Sequence, residues 1–160
     1  MKLVREHINE ISLGGSHLER MGVGMKTSIK RWFDTTGISV DYTINDDLTI
    51  VVIGDLYLRG TQITSLPDNL SVKGCLDLRG TQITSLPDNL SVKGYLDLQE
   101  TQITSLPDNL SVGGSLILYG TQITSLPKDL KVEGWLDLRG TPITSLPKDL
   151  KVKGTIYKDF

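Results

Sequence analysis

Few side chains in this chain are of the types that catalyse reactions. Cys75 is the single cysteine, and His7 and His17 are the two histidines. A cysteine nucleophile needs a lowered thiol pKa and a neighbouring base, and neither histidine lies near Cys75 in the sequence. A single cysteine also excludes an internal disulfide and a multi-cysteine metal site. We therefore expect no enzyme, no catalytic residue and no cofactor.

Carboxylates offer the other candidate for chemistry, because three of them recur at one position of a repeated pattern. They are Asp77, Asp97 and Asp137. Stacked carboxylates can bind a metal ion, but Ile117 interrupts this series, and Arg79 and Arg139 each follow an aspartate by two residues. Neighbouring arginines favour ion pairs, so we predict ion pairs at these positions and no metal site.

The overall composition is that of a globular domain in water. The 160 residues are 38% apolar and 22% charged, with a net charge of −2. The longest apolar run, Ile50–Ile53, is far shorter than the roughly twenty residues of a membrane span. The near-neutral charge provides no electrostatic basis for binding nucleic acid or a membrane surface. The charged N-terminus lacks the apolar core of a secretory signal, so we expect a cytoplasmic location.

The elements that position the side chains follow from an internal repeat of twenty residues. Five coils succeed one another without insertion or deletion: Gly54–Lys73, Gly74–Lys93, Gly94–Gly113, Gly114–Glu133 and Gly134–Lys153. A sixth begins at Gly154. Self-similarity at a short fixed period is typical of a solenoid. One copy buries too few apolar side chains to offset the entropy lost on ordering it, so the copies must stack.

Each copy carries apolar residues at the same positions, which form columns when the copies stack. The first copy contributes Leu56, Leu58, Ile63, Leu66, Leu70 and Val72. The L-x-L spacing directs two side chains to one face of a strand, which predicts a parallel sheet. Leu66-Pro67 predicts an extended or turn conformation, and Leu70–Val72 a second short strand. The predicted fold is an α/β leucine-rich-repeat solenoid of about five and a half coils with an N-terminal α/β cap.

Residues 1–53 do not repeat, and we predict that they form a capping region packed as one domain with the solenoid of residues 54–160. A first helix is predicted from the spacing of Leu3, Val4, Ile8 and Ile11, ahead of Gly14-Gly15. A second is predicted from Met25, Ile29, Trp32 and Phe33, ending at Gly37. Two strands, 38–44 and 48–53, form a predicted hairpin around Asn45-Asp46-Asp47.

The second predicted strand of the hairpin indicates how the cap meets the first coil. Aligned with the repeats, Ile50 and Val52 fall on core positions, whereas Val51 and Ile53 fall on positions that face solvent in later coils. Apolar residues on both faces of a strand imply that something covers the additional face. We predict that the Met25–Phe33 helix covers Val51 and Ile53.

The repeat pattern L-x-L-x-x-T-x-I-T-x-L-P resembles the L-x-V-x-x-N-x-L-T-x-L-P of bacterial leucine-rich repeats with a 20-residue period, as in effectors of pathogenic enterobacteria. Threonine, from Thr61 to Thr141, stands where that family has asparagine, and its hydroxyl can still bond a backbone group at the bend. The segment Tyr42–Ile50 also resembles the lead-in of leucine-rich-repeat proteins from tailed-phage and bacterial genomes. The resemblance implies a sheet face that binds a ligand, and a host partner in the host cytoplasm if the chain is phage-encoded.

Three sequence columns around the L-x-L strand should point away from the core, because side chains alternate along a strand. We call these columns the outer face. The first column holds Asp55, Cys75, Tyr95, Ser115, Trp135 and Thr155. The second holds Tyr57, Asp77, Asp97, Ile117, Asp137 and Tyr157. The third holds Arg59, Arg79, Gln99, Tyr119, Arg139 and Asp159.

The composition of the outer face favours an interaction surface. The chain has five tyrosines, two tryptophans and two phenylalanines, and five of these nine rings lie on the outer face. Tyrosine, tryptophan and arginine dominate the energetics of protein interfaces. We therefore expect a monomer that binds a protein partner through Tyr57, Arg59, Asp77, Arg79, Tyr95, Asp97, Ile117, Tyr119, Trp135, Asp137, Arg139 and Tyr157. The alternative is that exposed positions vary freely and strands favour aromatic residues.

Two other functions are alternatives, and one further surface is notable. In the first, the rows of Thr61 and Thr64 equivalents form an array of hydroxyls that orders water or ice. This function requires both rows to lie on one flat strand, and the Thr-x-x-Thr spacing argues against it because the two threonines lie on either side of a bend. A structural or assembly role, for example in a virion, requires end-to-end stacking, which Lys158 in a core column opposes.

On the opposite side from the outer face lies a strip of lysines interleaved with acidic residues. We interpret it as solvated surface, and its lysines are Lys128, Lys131, Lys148, Lys151 and Lys153.

Overall fold

A computed structural model describes the backbone of residues 17–160 and the side chains of residues 22–160. Within this range one helix, α1 (His17–Thr36), precedes thirteen short strands. The strands are β1 (Tyr42–Ile44), β2 (Ile50–Val52), β3 (Leu56–Tyr57), β4 (Leu70–Val72), β5 (Leu76–Asp77), β6 (Ser91–Val92), β7 (Leu96–Asp97), β8 (Ser111–Val112), β9 (Leu116–Ile117), β10 (Lys131–Val132), β11 (Leu136–Asp137), β12 (Lys151–Val152) and β13 (Ile156–Tyr157).

The strands form two sheets on two sides of a solenoid. The seven-stranded sheet has the order β1-β2-β4-β6-β8-β10-β12, and the six-stranded sheet has the order β3-β5-β7-β9-β11-β13. All pairs are parallel except β1 with β2, and each parallel pair joins residues twenty positions apart, as Leu116 and Leu136 illustrate. The predicted α/β solenoid with stacked parallel strands is confirmed, and so is the second strand at Leu70–Val72.

The core lies between the two sheets and consists of the predicted apolar columns. Its first column is fully buried in five successive coils, at Leu56, Leu76, Leu96, Leu116 and Leu136. Burying each leucine contributes about 1.5–3 kcal/mol, and every interior coil shares this burial with two neighbours. Stability therefore depends on stacking and not on any single coil.

The threonine at the bend of each coil bonds the backbone, as predicted from its place in the pattern. The Thr121 hydroxyl donates to the Leu118 carbonyl at 2.8 Å, and the Thr121 N–H points to the same oxygen at 3.1 Å. Equivalent hydroxyl bonds recur from Thr61 to Thr141. Each bond closes the turn that leads out of the L-x-L strand, because the acceptor lies at its end.

The cap combines α1 with the antiparallel hairpin of β1 and β2. The predicted Met25–Phe33 helix is part of the longer α1, and Gly37 follows its end with φ +67°. The hairpin strands are shorter than predicted, because Leu48 adopts φ +64° in the connecting turn. The predicted helix around Leu3–Ile11 lies outside the described residues. The domain boundary at residue 53 stays a prediction.

The prediction that α1 covers Val51 and Ile53 is wrong for Ile53, because 61% of this residue is exposed, whereas Val51 is half-buried. The helix instead directs Phe33 onto Tyr42 of β1, with the rings stacked 4.1 Å apart, and both residues belong to the core cluster of the coils. The Trp32 indole N–H donates to the Ser65 carbonyl at 3.2 Å and ties the helix to the first coil. Covering the end of the core removes more apolar surface from water than covering one isoleucine.

One coil carries backbone strain where its neighbours carry glycine. The residue after the strand turn is glycine in four coils, with φ between +64° and +70°, and Glu100 in the third coil, with φ +57°. A left-handed conformation costs a residue with a side chain roughly 1–2 kcal/mol. We expect Glu100→Gly to raise the free energy of unfolding by up to about 1 kcal/mol in urea denaturation, since glycine loses part of the gain to backbone entropy.

The reciprocal change provides the control for this prediction. Gly80 occupies the same turn of the preceding coil with φ +64° and open space around it. We expect Gly80→Glu to lower stability by a similar amount. A Glu100→Gly variant less stable than the parent would contradict the assignment of strain.

Candidate interaction surface

The six-stranded sheet places the outer face on the side of the solenoid away from the core. In each coil, the side chains of the first and third columns lie on either side of the second-column side chain. The reason is that these three positions alternate with the inward-facing leucines along the chain. Neighbouring coils are about 4.8 Å apart in the hydrogen-bonding direction. Each column is therefore a continuous row of side chains along the solenoid axis.

Four rings of the outer face are exposed, as predicted. Between 38% and 52% of each residue is accessible, at Tyr57, Tyr119, Trp135 and Tyr157. Tyr95 and Arg79 are half-buried, and Arg59 and Arg139 are exposed. The exposed rings lie at both ends of the row, and three of them cluster over the last coils.

Four predicted contact residues of the second column are buried, which corrects the expectation that they face solvent. They are Asp77, Asp97, Ile117 and Asp137, each at most 7% exposed. Alternation along the strand sets their direction, but the flanking columns and the coils on either side cover these short side chains. Tyr57 and Tyr157 in the same column stay exposed because they lie on the first and last strands of the sheet.

Asp137 is held by Arg139 of its own coil. Its carboxylate accepts hydrogen bonds from the Arg139 backbone N–H at 3.1 Å, from Nε at 2.9 Å and from Nη2 at 2.6 Å. These bonds lower the pKa of Asp137 more than burial raises it. The Arg139 guanidinium also lies 5.4 Å from the centre of the Tyr157 ring, within the range of a cation–π contact.

Arg79 binds two buried carboxylates at once. It holds Asp77 through its backbone N–H at 3.1 Å, its Nε at 2.9 Å and its Nη2, and its Nε lies 3.3 Å from Asp97 of the next coil. Burial raises the pKa of Asp77, but the Arg79 bonds outweigh it and the pKa falls below its usual value. Burial raises the pKa of Asp97, which has Gln99 in place of a second arginine. The predicted ion pairs are thus confirmed for this column.

Three exposed rings lie on the last coils, and we call them the aromatic patch: Tyr119, Trp135 and Tyr157. Trp135 and Tyr157 meet edge to face, with ring centres 5.8 Å apart. A Cβ at Gly140 would lie 3.9 Å from the Tyr119 ring, so this ring extends over the next coil. Among the described residues, the Trp135 indole N–H and the two hydroxyls have no hydrogen-bond partner.

At the N-terminal end, Asp55 restrains the outer face in a way that the sequence analysis missed. Its carboxylate accepts the Tyr57 hydroxyl and the Cys75 backbone N–H, each at 2.7 Å. The hydrogen bond to Asp55 raises the pKa of Tyr57 to about 12. An aspartate two residues before a tyrosine on one face of a strand was the available signal, since i and i+2 are neighbours there.

Cys75 and the recurring aspartates are the side chains to consider for thiolate and metal chemistry. Burial raises the pKa of the Cys75 thiol, the opposite of what a cysteine nucleophile requires. No three histidine, cysteine, aspartate or glutamate side chains of the described chain converge on one point. Within the same residues, no helix combines the length and apolar character needed to cross a membrane.

The two threonine rows lie in different environments. Thr81, Thr101 and Thr121 of the first row are at most 2% exposed, with their hydroxyls bonded to the backbone. The row that starts at Thr64 is exposed. The three interior hydroxyls of the first row are therefore removed from water, and the two rows do not form one flat array.

The outer face thus combines exposed rings at its edges with a central column of buried carboxylates, of which Asp77 and Asp97 share Arg79 and Asp137 pairs with Arg139. Comparison of the chain with protein-family models, with characterised proteins and with solved structures found no match.

Proposed function

We propose that this protein is a non-catalytic recognition module that binds a partner protein through the outer face, with the aromatic patch at the centre of the contact. The observation that carries the proposal is the exposure of three rings on the last coils, two of them in contact, whose polar atoms have no partner among the described residues. An indole N–H and two phenol hydroxyls supply hydrogen bonds beside flat apolar surfaces, the combination found at the centres of interfaces.

Ordering of Tyr157 supports the same proposal. Its ring meets the Trp135 ring with centres 5.8 Å apart, and the Arg139 guanidinium lies 5.4 Å from its centre. Side chains that are already ordered lose little entropy when a partner binds, which raises affinity without new contacts.

The double substitution Trp135→Ala and Tyr119→Ala tests this proposal. Truncating a central interface ring typically costs at least about 2 kcal/mol, and we expect partner affinity to fall by at least about thirtyfold. The measurement is affinity capture from a bacterial lysate, followed by titration of each captured protein against the parent and the variant. Circular dichroism should show an unchanged fold, because both side chains are exposed.

The matched control changes two exposed side chains on another side of the solenoid, Gln102→Ala and Gln122→Ala. We expect this control to capture the same proteins as the parent. A partner that binds the parent and the double aromatic variant equally well would exclude the aromatic patch as the contact surface.

A structural or assembly role is the second candidate, and apolar side chains that are partly exposed on the last coil favour it. They are Leu146, Leu150, Val152 and Ile156, whose equivalents in earlier coils are buried. Lys158 is exposed on the following segment, 4.3 Å from the centre of the exposed Phe160 ring. Light scattering at rising protein concentration separates a monomeric recognition module from an assembly held together by these side chains.

The resemblance of the repeats supports a finer assignment. We infer a leucine-rich-repeat protein of the 20-residue type, related to bacterial effector repeats in architecture, with a phage or bacterial origin. Supporting features are the buried L-x-L columns and the bend threonine that replaces asparagine while bonding the backbone. On the same basis we infer a cytoplasmic location and a protein partner, with neither nucleic acid nor membrane as the ligand.

A further inference from the structure

We propose that a groove between the fourth and fifth coils binds a phosphate group, either as the free anion or as a phosphate ester. The groove has a volume of about 460 Å³ and lies on a different side of the solenoid from the outer face. Its polar lining consists of Thr124, Ser125, Lys128, Ser145, Lys148 and Asp149. The proposal is independent of the proposed protein recognition.

Two lysines and two serines in equivalent positions provide the donors. Lys128 and Lys148 are one coil apart, as are Ser125 and Ser145, so the repeat places like groups side by side across the groove. Each ammonium carries three N–H donors and each hydroxyl one. A tetrahedral phosphate with a charge of about −1.5 to −2 can accept from both coils at once, whereas Asp149 disfavours anions seated at its end of the groove.

The lysines of these coils lack the carboxylate partners that would neutralise them. Within the described chain, Lys128, Lys131, Lys148 and Lys151 form no ion pair, and only Lys153 does so, with Glu133. Strand pairing places Lys131 directly opposite Lys151. Like charges directly opposite one another on a sheet are destabilising. Lys131 and Lys151 do not line the groove, but their uncompensated charge favours an anion on this part of the surface.

The first coils contain the same groove with the opposite charge. Ser65, Asp68, Ser85 and Asp88 line a groove of about 290 Å³ at the equivalent position. The segments on both sides share the sequence TSLP, and aspartate is replaced by lysine at the next residue in coils four and five. Because the backbone is repeated, this groove shows that carboxylates are compatible with the fold at these positions.

The test compares the parent with the double variant Lys128→Asp and Lys148→Asp, which copies the first coils. We expect a dissociation constant on the order of 1 mM, because the charges are exposed. Inorganic phosphate at about ten times that concentration should raise the Tm of the parent by about 3–6 °C. Chloride at matched ionic strength corrects for screening. The variant corrects for the general stabilisation of proteins by phosphate salts.

Two probes separate the sources of the phosphate, and amide NMR locates the contact. Titration with inorganic phosphate and with O-phosphoserine should shift the Ser125 and Ser145 signals but not those of Ser65 and Ser85. A response to either probe that the variant loses supports the site, and the relative strength of the two responses distinguishes the free anion from an ester. Equal Tm shifts in parent and variant, or signal changes confined to other residues, would overturn the proposal.

Discussion

The substitution Gly114→Ala should lower the free energy of unfolding by about 2–3 kcal/mol. A Cβ at this position would lie 2.7 Å from the Gly94 carbonyl carbon, 2.8 Å from its oxygen and 2.8 Å from the Tyr95 nitrogen. All three atoms are backbone, so relief requires the coils to separate. Separation would also stretch the 2.9 Å hydrogen bond from the Gly114 N–H to the Gly94 carbonyl.

The measurement is urea denaturation, and Gly24→Ala in α1 is the control. Nothing lies within 4 Å of a Cβ at Gly24, and alanine is favoured over glycine in a helix by about 1 kcal/mol. We therefore expect this variant to be at least as stable as the parent. If Gly114→Ala unfolded at the same urea concentration as the parent, the coils would not be stacked as closely as the structure has them.

The second large effect is expected from Arg79→Met. Methionine replaces the aliphatic part of the arginine side chain at similar length and removes the guanidinium. Asp77 and Asp97, each at most 4% exposed, then lose their shared cation. Removing one partner of a buried ion pair costs about 3–5 kcal/mol. Because Arg79 is about one-third exposed, screening by solvent reduces the expected loss to about 2 kcal/mol at neutral pH.

The pH dependence of this loss identifies its cause. In the parent, the pKa of Asp77 is lowered, so the pair contributes stability above the unfolded-state pKa, about 3.9, and that contribution disappears as the pH falls through the folded-state pKa. In the variant, burial without Arg79 should raise the pKa of Asp77, so stability should decrease as the pH rises from about 4. The difference between parent and variant should therefore be large at pH about 7, decrease as the pH falls, and become small only below the lowered folded-state pKa of Asp77.

Arg59→Met is the matched control for this experiment. Arg59 occupies the same column one coil earlier, where Tyr57 takes the place of the aspartate. It forms no ion pair with a described residue, and its charge is the smallest of the influences on the pKa of Asp77 and of Asp97. We expect its substitution to change stability by no more than about 0.5 kcal/mol. An Arg79→Met loss that stays constant as the pH falls would exclude the carboxylates as its source.

Individual residues illustrate how far the sequence predicted the outer face. Alternation along the strand correctly placed the Asp77 side chain on the side away from the core, and the arginine two residues later predicted the ion pair that holds it. Burial of that carboxylate did not follow from the sequence, because it depends on how far long side chains in adjacent columns and coils extend. The same limit applies to Ile53, whose exposure depends on where α1 lies.

By itself, the sequence determined the solenoid, since inward-facing leucines at a constant twenty-residue spacing satisfy both strand geometry and burial only when the coils stack in register. It also determined which columns point outward. Tertiary structure alone decided which of those side chains remain in contact with water, which polar atoms are satisfied, and why glycine recurs at Gly94 and Gly114. The physical reason is that direction is a local property of the backbone, whereas accessibility and close approach depend on atoms contributed by neighbouring coils and by the cap.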